Sequence, residues 1–577
     1  MSTVNKHIRL RTLLMGILFG LCFASIGAKA IYLQVYRAPW LAKKAAGEYE
    51  RSIKTFLKRG TIYDSTPREM AVSIDATSIA AFPGRIKNPE RTATELAKIL
   101  DSHQQPIYKK LVARKPFVWV KRQITPGEEK ALKNLKLDGI GFLAESNRFY
   151  PNKTLGAQIL GFTGVDGDGL EGIEFYYDEY LKGATVEQTI LKDALGRGFN
   201  AEKKSTTSFG GYSLYLTIDG PIQFATERVL EETVKTYSAK GGMIVVMSPK
   251  TGAILAMAHY PFFNPNTYRE YEKSIWRNRA VTDPFEPGST MKIFSAAAAL
   301  ESENASPHTI FFCENGKYRI GEDVVNDVHP HGWLSLQQIV KYSSNIGAVK
   351  IGERVGREKH FKMLQAFGFG TKTGIDCPGE TGGSLLPYKR WSKIDAGAIS
   401  FGQGISVSAI QLVAATSAIA NDGILMKPYI VHSIRDGSGN LMKQIEPTVV
   451  RRVISIKTAR TLNRIMQTVT APGGTGVNAA LDGYKVSGKT GTAQKVGKNG
   501  TYAKGKYVAS FIGFVPAHDP AATILVVIDE PKGKIYGGII AAPVFKKIAH
   551  ETLNYLNIPP QRDAEGLRVS KEDATTG

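Results

Sequence analysis

Cysteine is scarce in this chain of 577 residues, where it occurs only as Cys22, Cys313 and Cys377. Three cysteines exclude a disulfide-rich scaffold and a four-cysteine zinc site. Their spacing leaves open whether Cys313 and Cys377 pair or stay free. Acidic residues are also few relative to basic ones, 52 against 74, for a net charge of +22. Such a surface attracts anions such as nucleic acid, anionic lipid or an acidic cell-wall polymer, and charge alone does not choose among them.

Long apolar runs are absent beyond the N-terminal region, which excludes a polytopic membrane protein. Residues 1–12 carry basic residues and no acid, which predicts a cytoplasmic tail. The apolar residues that follow predict a single transmembrane anchor over 13–35, with the rest of the chain exported. A cleaved signal peptide is the alternative, because Ala28-Lys29-Ala30 matches the small-x-small cleavage pattern. The anchor is favoured since apolar residues continue past that point.

The remainder has the composition of a globular protein, with 43% hydrophobic and 22% charged residues, and its length predicts several domains. Short strands and glycine-rich turns over 48–208 indicate a mixed, irregular module, and the polar stretch 201–208 marks its end. A second domain is predicted over 209–558. The polar segment 559–577 is predicted to be a disordered tail.

Two strand hairpins are predicted near the two ends of the second domain. Apolar runs at 242–247 and 253–258 flank a turn that contains proline and glycine, and similar runs at 507–516 and 521–528 flank a second turn. Alanine-rich segments with helical spacing lie between the hairpins, and a terminal helix follows them. The pattern therefore predicts an α+β fold, in which helices pack on an antiparallel sheet built from both ends of the domain.

Ser289 and Lys292 form the first pair of candidate catalytic residues. A chain-reversing Glu-Pro-Gly precedes Ser289 and helix-forming residues follow Lys292, so the serine is predicted at a helix N-terminus. Residues three apart share a helix face, which places the amine beside the hydroxyl. A lysine base near neutral pH needs its pKa lowered by about three units, which burial and a second cation would provide. Alone, Ser-x-x-Lys more often marks a capping serine with a solvated lysine.

Two further motifs strengthen the catalytic interpretation. Ser343-Ser344-Asn345 precedes an apolar run, and Lys489-Thr490-Gly491-Thr492 opens a strand-like segment just before the second hairpin. Each alone is also consistent with a helix cap or a turn. Together they supply complementary chemistry: a proton relay at Ser343, an amide-binding group at Asn345 and a second cation at Lys489.

The strand-like motif also predicts how a substrate would bind. A strand of this composition would pair with an extended peptide, and Gly491 would leave room for the substrate backbone. The backbone N–H groups of Ser289 and Thr492 are candidates for the oxyanion hole.

In this order the three motifs resemble the active-site triplet of penicillin-binding proteins and serine β-lactamases. Longer stretches around them are similar to the division-specific class B penicillin-binding proteins, the penicillin-binding protein 3 group: 278–289, 329–333 and 400–407. Upstream stretches resemble the motifs of the non-catalytic class B pedestal, a dimerisation-type domain: 59–64, 148–151 and 169–174. Ser65-Thr66-Pro67 stands where the family usually has Arg-Asn-Gly, which puts the first pedestal turn in question.

The resemblance implies a fold and a reaction. It assigns 48–208 to the pedestal and 209–558 to a transpeptidase domain like serine β-lactamases, with helices on both faces of the sheet. Ser289 would attack the penultimate D-Ala carbonyl of a peptidoglycan stem pentapeptide, and the acyl-enzyme would be transferred to the amine of a neighbouring stem. The other implied roles are these: Lys292 as the base, Ser343 and Lys489 as the proton relay, and Thr490 and Thr492 as carboxylate-binding groups.

The resemblance also implies ligands, partners and a compartment. Peptidoglycan stem peptides, lipid-linked precursor glycan and β-lactam antibiotics are the expected ligands, with a membrane glycan polymerase and other division proteins as partners. The protein is expected to be a single-pass inner-membrane protein with its catalytic domain in the periplasm. No metal or organic cofactor is required, and His329 and His331 are interpreted as loop histidines because no third zinc ligand follows at a suitable spacing.

Three other functions remain open from the sequence. A β-lactamase or β-lactam sensor shares the three motifs, although the anchor and the pedestal argue against a small secreted hydrolase. The elongation-specific class B transpeptidase has the same chemistry, and residues 400–407 favour division over it. A catalytically silent scaffold that binds cell wall or division proteins is the third. Nucleic-acid binding is disfavoured because no binding motif accompanies the charge and the chain is expected to be exported.

Overall fold

The computed structural model describes residues 2–56, 58–182, 185–192, 198–199, 210–497, 499 and 501–560. The helices are α1 (Ser2–Ile31), α2 (Ala38–Tyr49), α3 (Pro89–Ile99), α4 (Gln104–Leu111), α5 (Pro126–Leu135), α6 (Ala157–Leu160), α7 (Gly172–Tyr176), α8 (Asp178–Lys182), α9 (Gly220–Thr236), α10 (Lys273–Trp276), α11 (Arg279–Thr282), α12 (Lys292–Glu301), α13 (Leu336–Tyr342), α14 (Asn345–Val355), α15 (Arg357–Ala366), α16 (Lys393–Ser400), α17 (Ala409–Ala420), α18 (Ile456–Thr470) and α19 (Gly537–Tyr555).

The strands are β1 (Glu50–Phe56), β2 (Ile62–Tyr63), β3 (Glu69–Ala81), β4 (Val118–Ile124), β5 (Ile140–Phe149), β6 (Thr185–Lys192), β7 (Gly198–Phe199), β8 (Ser213–Leu216), β9 (Gly241–Met247), β10 (Ile254–Tyr260), β11 (Ile310–Phe312), β12 (Lys317–Ile320), β13 (Asp323–Asn326), β14 (Trp333–Ser335), β15 (Ile424–Met426), β16 (Val431–Arg435), β17 (Leu441–Gln444), β18 (Val449–Arg452), β19 (Ser487–Val496), β20 (Tyr502–Val515) and β21 (Ala522–Asp529). The boundary stretch predicted at 201–208 and the tail from residue 561 onward lie outside the described residues.

The chain divides into two compact units, and the first comprises residues 1–57 and 184–208. Helix α1 continues through a π-helical turn at Tyr32–Tyr36. The segment His7–Tyr36 is long and apolar enough to cross a membrane, and it is the one such segment in the described ranges. In the same unit β1 pairs with β6 in antiparallel register, and β6 pairs with β7.

The second unit comprises residues 58–183 and 209–577, and it contains a seven-stranded sheet. The strand order is β17-β16-β8-β2-β3-β4, with β5 also paired to β3. Helices α3, α4 and α5 pack on this sheet through a small apolar core that includes Ile79, Leu96 and Leu132. Strand β2 runs parallel to β8, and β8 pairs with β16. The sheet therefore contains strands from both sides of the boundary predicted near residue 208.

A buried ion cluster joins the three upstream stretches that resemble pedestal motifs. Glu174 is fully buried and accepts hydrogen bonds from Arg59 Nε at 2.5 Å and from Arg148 Nε at 2.6 Å. Arg59 also donates through Nη1 to Asp178 Oδ1 at 2.5 Å. Buried charges are stable only when paired and hydrogen-bonded. The cluster thus explains why arginine and glutamate occur in the interior of this module.

The segment Ser65-Thr66-Pro67 forms a turn despite its departure from the family pattern. The Asp64 carboxylate accepts hydrogen bonds from the backbone N–H of Thr66 at 2.8 Å and of Arg68 at 2.9 Å. An aspartate that bonds the backbone two residues later is a standard turn device. This turn connects β2 to β3. The chain therefore forms a turn here although its residues differ from the usual Arg-Asn-Gly.

A five-stranded antiparallel sheet forms the centre of the second unit, in the order β10-β9-β21-β20-β19. The two predicted hairpins are confirmed as β9–β10 and β20–β21, and β9 pairs with β21, which joins the two ends of the domain. Ile244 and Val246 pack against α9 and α19, whereas Met243 and Val245 pack on the side of α17. Because alternate side chains point to opposite faces, helices cover both faces of the sheet. Strand β19 lies at its edge.

Cys313 and Cys377 are both buried and both free, which decides between the alternatives left open by their spacing. His331 stacks on Tyr342 with 5.4 Å between ring centroids. In the described part of the chain, no group of three or more His, Cys, Asp and Glu side chains is placed to hold a metal ion.

Candidate active site

Ser289 lies on a 3₁₀ turn, Gly288–Met291, that leads directly into α12. Gly288 has φ +56°, and its amide donates to the carbonyl of Gly402 at 3.1 Å. A side chain at Gly402 would collide with Gly288 O, so the backbone of the 400–407 stretch packs directly against the turn. Ser289 is half-buried, and its hydroxyl has no hydrogen-bond partner among the described residues. The turn thus presents an unengaged hydroxyl.

Lys292 begins α12 and is almost completely buried, with 1% of its surface exposed. Its Nζ donates to Ser343 O at 2.5 Å, to Asn345 Oδ1 at 2.7 Å and to Ser343 Oγ at 3.2 Å. Burial lowers the pKa of Lys292 from its ordinary 10.5 to about 7, although the negative charge of Asp327 acts in the opposite direction. A lysine with this pKa can take a proton near neutral pH.

Lys489 projects from the edge strand β19 and is fully buried. Its Nζ donates to Ser343 Oγ at 2.9 Å and to Thr490 O at 3.0 Å. Burial, together with the charge of Lys292, lowers the pKa of Lys489 well below its ordinary value. The hydroxyl of Ser343 therefore lies between two amines whose pKa values are both lowered.

Ser343 connects α13 to α14 and adopts the left-handed conformation, with φ +64°. A non-glycine residue in this conformation costs free energy and requires support from its surroundings. Ser344 then caps α14, since its hydroxyl accepts a hydrogen bond from Gly347 N at 2.9 Å. The helix break turns the Ser343 and Asn345 side chains toward Lys292.

The Thr490 and Thr492 hydroxyls have partners that orient them. Thr490 Oγ1 lies 3.0 Å from Thr475 Oγ1, and Thr492 Oγ1 accepts from Gly537 N at 3.1 Å. Because the Thr492 oxygen is already an acceptor there, its own proton remains available to donate.

Gly491 has a packing role inside the protein itself. A side chain at this position would lie 2.2 Å from Ser510 Oγ and 2.9 Å from Thr290 Cγ2. These are atoms of the protein itself, so the glycine lets β19 pack closely against the turn that carries Ser289. The role expected from the sequence, room for the substrate backbone, stays a prediction.

Comparison with known proteins decides the family. The family model of the penicillin-binding protein transpeptidase domain matches residues 242–550. The family model of the penicillin-binding protein dimerisation domain matches residues 55–216. The chain belongs to the penicillin-binding protein transpeptidases. The resemblance inferred from the three motifs is therefore confirmed.

Curated relatives of this penicillin-binding protein match along nearly their whole length. Stage V sporulation protein D of Bacillus subtilis is 36% identical over 100% of this chain and 90% of its own. A probable peptidoglycan D,D-transpeptidase, PenA, of Neisseria meningitidis is 34% identical over 95% of this chain and 93% of its own. Peptidoglycan D,D-transpeptidase FtsI of Escherichia coli is 34% identical over 94% of this chain and 91% of its own.

Solved structures agree with this family assignment. A peptidoglycan synthetase from Bifidobacterium adolescentis has a TM-score of 0.72 at 26% identity, covering 89% of this chain and 98% of that one. Penicillin-binding protein 3 from Mycobacterium tuberculosis, in complex with aztreonam, has a TM-score of 0.69 at 27% identity, and the match covers 88% of this chain and 98% of that one.

The structure brings all the predicted site residues of this penicillin-binding protein to one location. Hydrogen bonds link Lys292, Ser343, Asn345, Lys489 and Thr490. Contacts place the remaining three at the same location: Ser289 on the turn, and Gly491 and Thr492 on the strand packed against it. The catalytic roles, and the oxyanion-hole role of the Ser289 and Thr492 N–H groups, stay predictions.

Two residues in contact with the cluster were missed from the sequence. Thr475 bonds the Thr490 hydroxyl, and Asp327 accepts hydrogen bonds from the backbone of Asn345 and from Ser344 Oγ. Neither lies in a recognisable motif. The one available signal was the position of Asp327 just before the His-Pro-His-Gly-Trp stretch that resembles the family.

Proposed function

We propose that this chain is a peptidoglycan D,D-transpeptidase that crosslinks stem peptides of the septal cell wall through an acyl-enzyme on Ser289. β-Lactams would acylate the same serine. The observation that carries the proposal is the Ser343 hydroxyl held between the Lys292 and Lys489 amines, next to the turn that bears Ser289. Relatives named as peptidoglycan D,D-transpeptidases and a structural neighbour in complex with aztreonam support it.

The arrangement accounts for both halves of acyl transfer. Neutral Lys292 takes the Ser289 proton as the serine oxygen bonds to the carbonyl carbon of the penultimate D-Ala. The proton then passes by way of Ser343, which contacts both amines, to the leaving nitrogen as the D-Ala–D-Ala amide bond breaks. The amine of a second stem attacks the ester, gives up its proton along the same route and regenerates Ser289.

The threonines of β19 suit the C-terminal carboxylate of the donor peptide. The Thr492 hydroxyl has a proton free to donate, and Thr490 lies beside the Lys489 amine, with 3.3 Å between Nζ and Oγ1. Hydrogen bonds to a charged group are about twice as strong as neutral ones. The same contacts would bind the carboxylate of a β-lactam.

The proposed setting follows from the membrane-length segment and the relatives. We assign residues 1–12 to the cytoplasm, 13–35 to a single inner-membrane span, 48–208 to a pedestal and 209–558 to a periplasmic transpeptidase domain. Lipid-linked precursor glycan, a membrane glycan polymerase and other division proteins are the proposed partners. A relative named FtsI, at 34% identity, supports division rather than elongation.

The test uses the full chain in detergent with a stem pentapeptide as donor and a labelled amine as acceptor. We expect release of D-Ala together with a labelled crosslinked product, and loss of both in Ser289→Ala. Ser302→Ala is the matched control, because Ser302 lies just past the far end of α12 and bonds only the helix carbonyls. It should retain wild-type turnover.

Other outcomes identify the competing functions. A penicilloyl complex that persists for many minutes fits a transpeptidase, whereas rapid release indicates a β-lactamase. If penicillin does not label the folded wild-type protein, the function that remains is the catalytically silent scaffold. Depletion in cells separates division from elongation, since only a division enzyme would be required for septum formation.

A further inference from the structure

We propose that Asp327 is a positioning residue of this active site, which holds Ser343 and Asn345 against Lys292 and is required for normal acylation of Ser289. The proposal rests on the proposed transpeptidase function. It concerns a residue outside the three motifs, 16 positions before Ser343.

Three hydrogen bonds converge on the Asp327 carboxylate. Asp327 Oδ1 accepts from Asn345 N at 2.5 Å and from Ile346 N at 3.0 Å, and Oδ2 accepts from Ser344 Oγ at 2.5 Å. These N–H groups belong to the first turn of α14, which has no intrahelical acceptors for them. Asp327 is therefore a second cap, supplied from outside the helix in addition to Ser344.

The segment that contains Asp327 also orients the Asn345 amide. Asn345 Nδ2 donates to the carbonyl of Asn326 at 2.9 Å, one residue before Asp327. With its amino group engaged there, the Asn345 Oδ1 atom faces Lys292 Nζ at 2.7 Å. The Asn326–Asp327 segment thus determines which end of the amide meets the lysine.

The backbone conformation of Ser343 also depends on its neighbours. Ser343 has φ +64°, which a serine maintains only when neighbouring contacts enforce it. The bonds from Asp327 fix the residues immediately after it, while the end of α13 fixes those before it. Loss of the carboxylate would let Ser343 relax and move its hydroxyl away from the two amines.

The negative charge of Asp327 also acts on Lys292. The charged groups that face Lys292 are Lys489 on β19 and Asp327 just after β13, and Asp327 acts to raise the Lys292 pKa. Removing the negative charge should therefore lower that pKa further and make the amine neutral at lower pH. A residue that only supports the fold would have no such effect on the pH profile.

The experiment compares labelled-penicillin acylation rates of the full chain from pH 5 to pH 9 in the wild type, Asp327→Asn and Asp327→Ala. Asparagine retains an oxygen acceptor for the backbone N–H groups but has no charge. We expect its pH midpoint to move to lower pH by about half a unit to one unit. Asp327→Ala should acylate at least about tenfold more slowly at every pH, because the N–H groups lose their acceptor.

The matched control is Asp219→Asn. Asp219 is a buried aspartate that caps α9 in a similar way, accepting from Ile222 N at 3.2 Å, away from the catalytic cluster. This control should keep the wild-type midpoint and rate. Circular dichroism checks that each variant folds. If Asp327→Ala does not fold, the pH midpoint of Asp327→Asn still tests the proposal.

The results separate this proposal from the proposed function. Wild-type protein that is never labelled contradicts the function itself. A labelled wild type with an unchanged midpoint in folded Asp327→Asn overturns the proposal, as does an unchanged rate in folded Asp327→Ala.

Discussion

The burial of Lys292 predicts a specific pH dependence for acylation of Ser289. The amine acts as a base only when neutral, and its pKa is lowered from 10.5 to about 7. That shift corresponds to about 5 kcal/mol in favour of the neutral form. About half of the molecules would carry a neutral amine at pH 7 and about a tenth at pH 6, against roughly one in three thousand at pH 7 for an unperturbed lysine.

The acylation rate should therefore rise about tenfold per unit between pH 5 and pH 6 and become constant above about pH 8. Stopped-time labelling with excess fluorescent penicillin measures this rate, with circular dichroism at each pH to confirm folding. Lys350→Gln is a suitable control, since Lys350 is a partly exposed lysine on α14 paired with Glu314. A wild-type rate that continues to rise tenfold per unit up to pH 10 would refute the reasoning, because Lys292 would then titrate as an ordinary lysine.

Three further predictions concern the pedestal, the strand and the N-terminus. Glu174→Gln should lower the free energy of unfolding by about 3–5 kcal/mol, because it leaves Arg59 and Arg148 buried without their shared carboxylate, whereas Asp75→Asn, at an exposed ion pair, should change it little. Denaturant unfolding of the two variants measures both effects, and equal effects would contradict the account. Gly491→Ala should slow penicillin acylation at least tenfold, since its side chain would collide with Ser510 and Thr290, whereas Gly84→Ala, at an open position, should not. N-terminal sequencing of the membrane-extracted protein should give the uncleaved start, and a start at Ile31 would contradict the anchor.

Local patterns made much of this structure predictable. The hairpins β9–β10 and β20–β21 were predictable because apolar runs and turn residues adjoin in the chain. The placement of Ser289 and Lys292 on one short turn and helix followed from their spacing of three residues. These features depend on neighbours a few positions away, so the sequence contains the information directly.

Long-range pairings were not predictable from one sequence. Nothing local indicates that Asp327 meets the start of α14, since the β12–β13 hairpin brings it there. The surroundings of Gly491 depend in the same way on how β19 packs against a turn some two hundred residues earlier. The parallel pairing of β2 with β8 also joins distant segments, and these two strands lie on opposite sides of the boundary predicted near residue 208. A boundary drawn along the chain therefore does not coincide with the edges of the sheets.

The identity of the nucleophile is the central claim, and mass mapping of the penicillin adduct tests it most directly. The folded full chain is incubated with penicillin and digested, and the peptide that carries the added mass is sequenced. The account predicts a single adduct on Ser289 and none in Ser289→Ala. An adduct on another residue, or one that persists in Ser289→Ala, would contradict it.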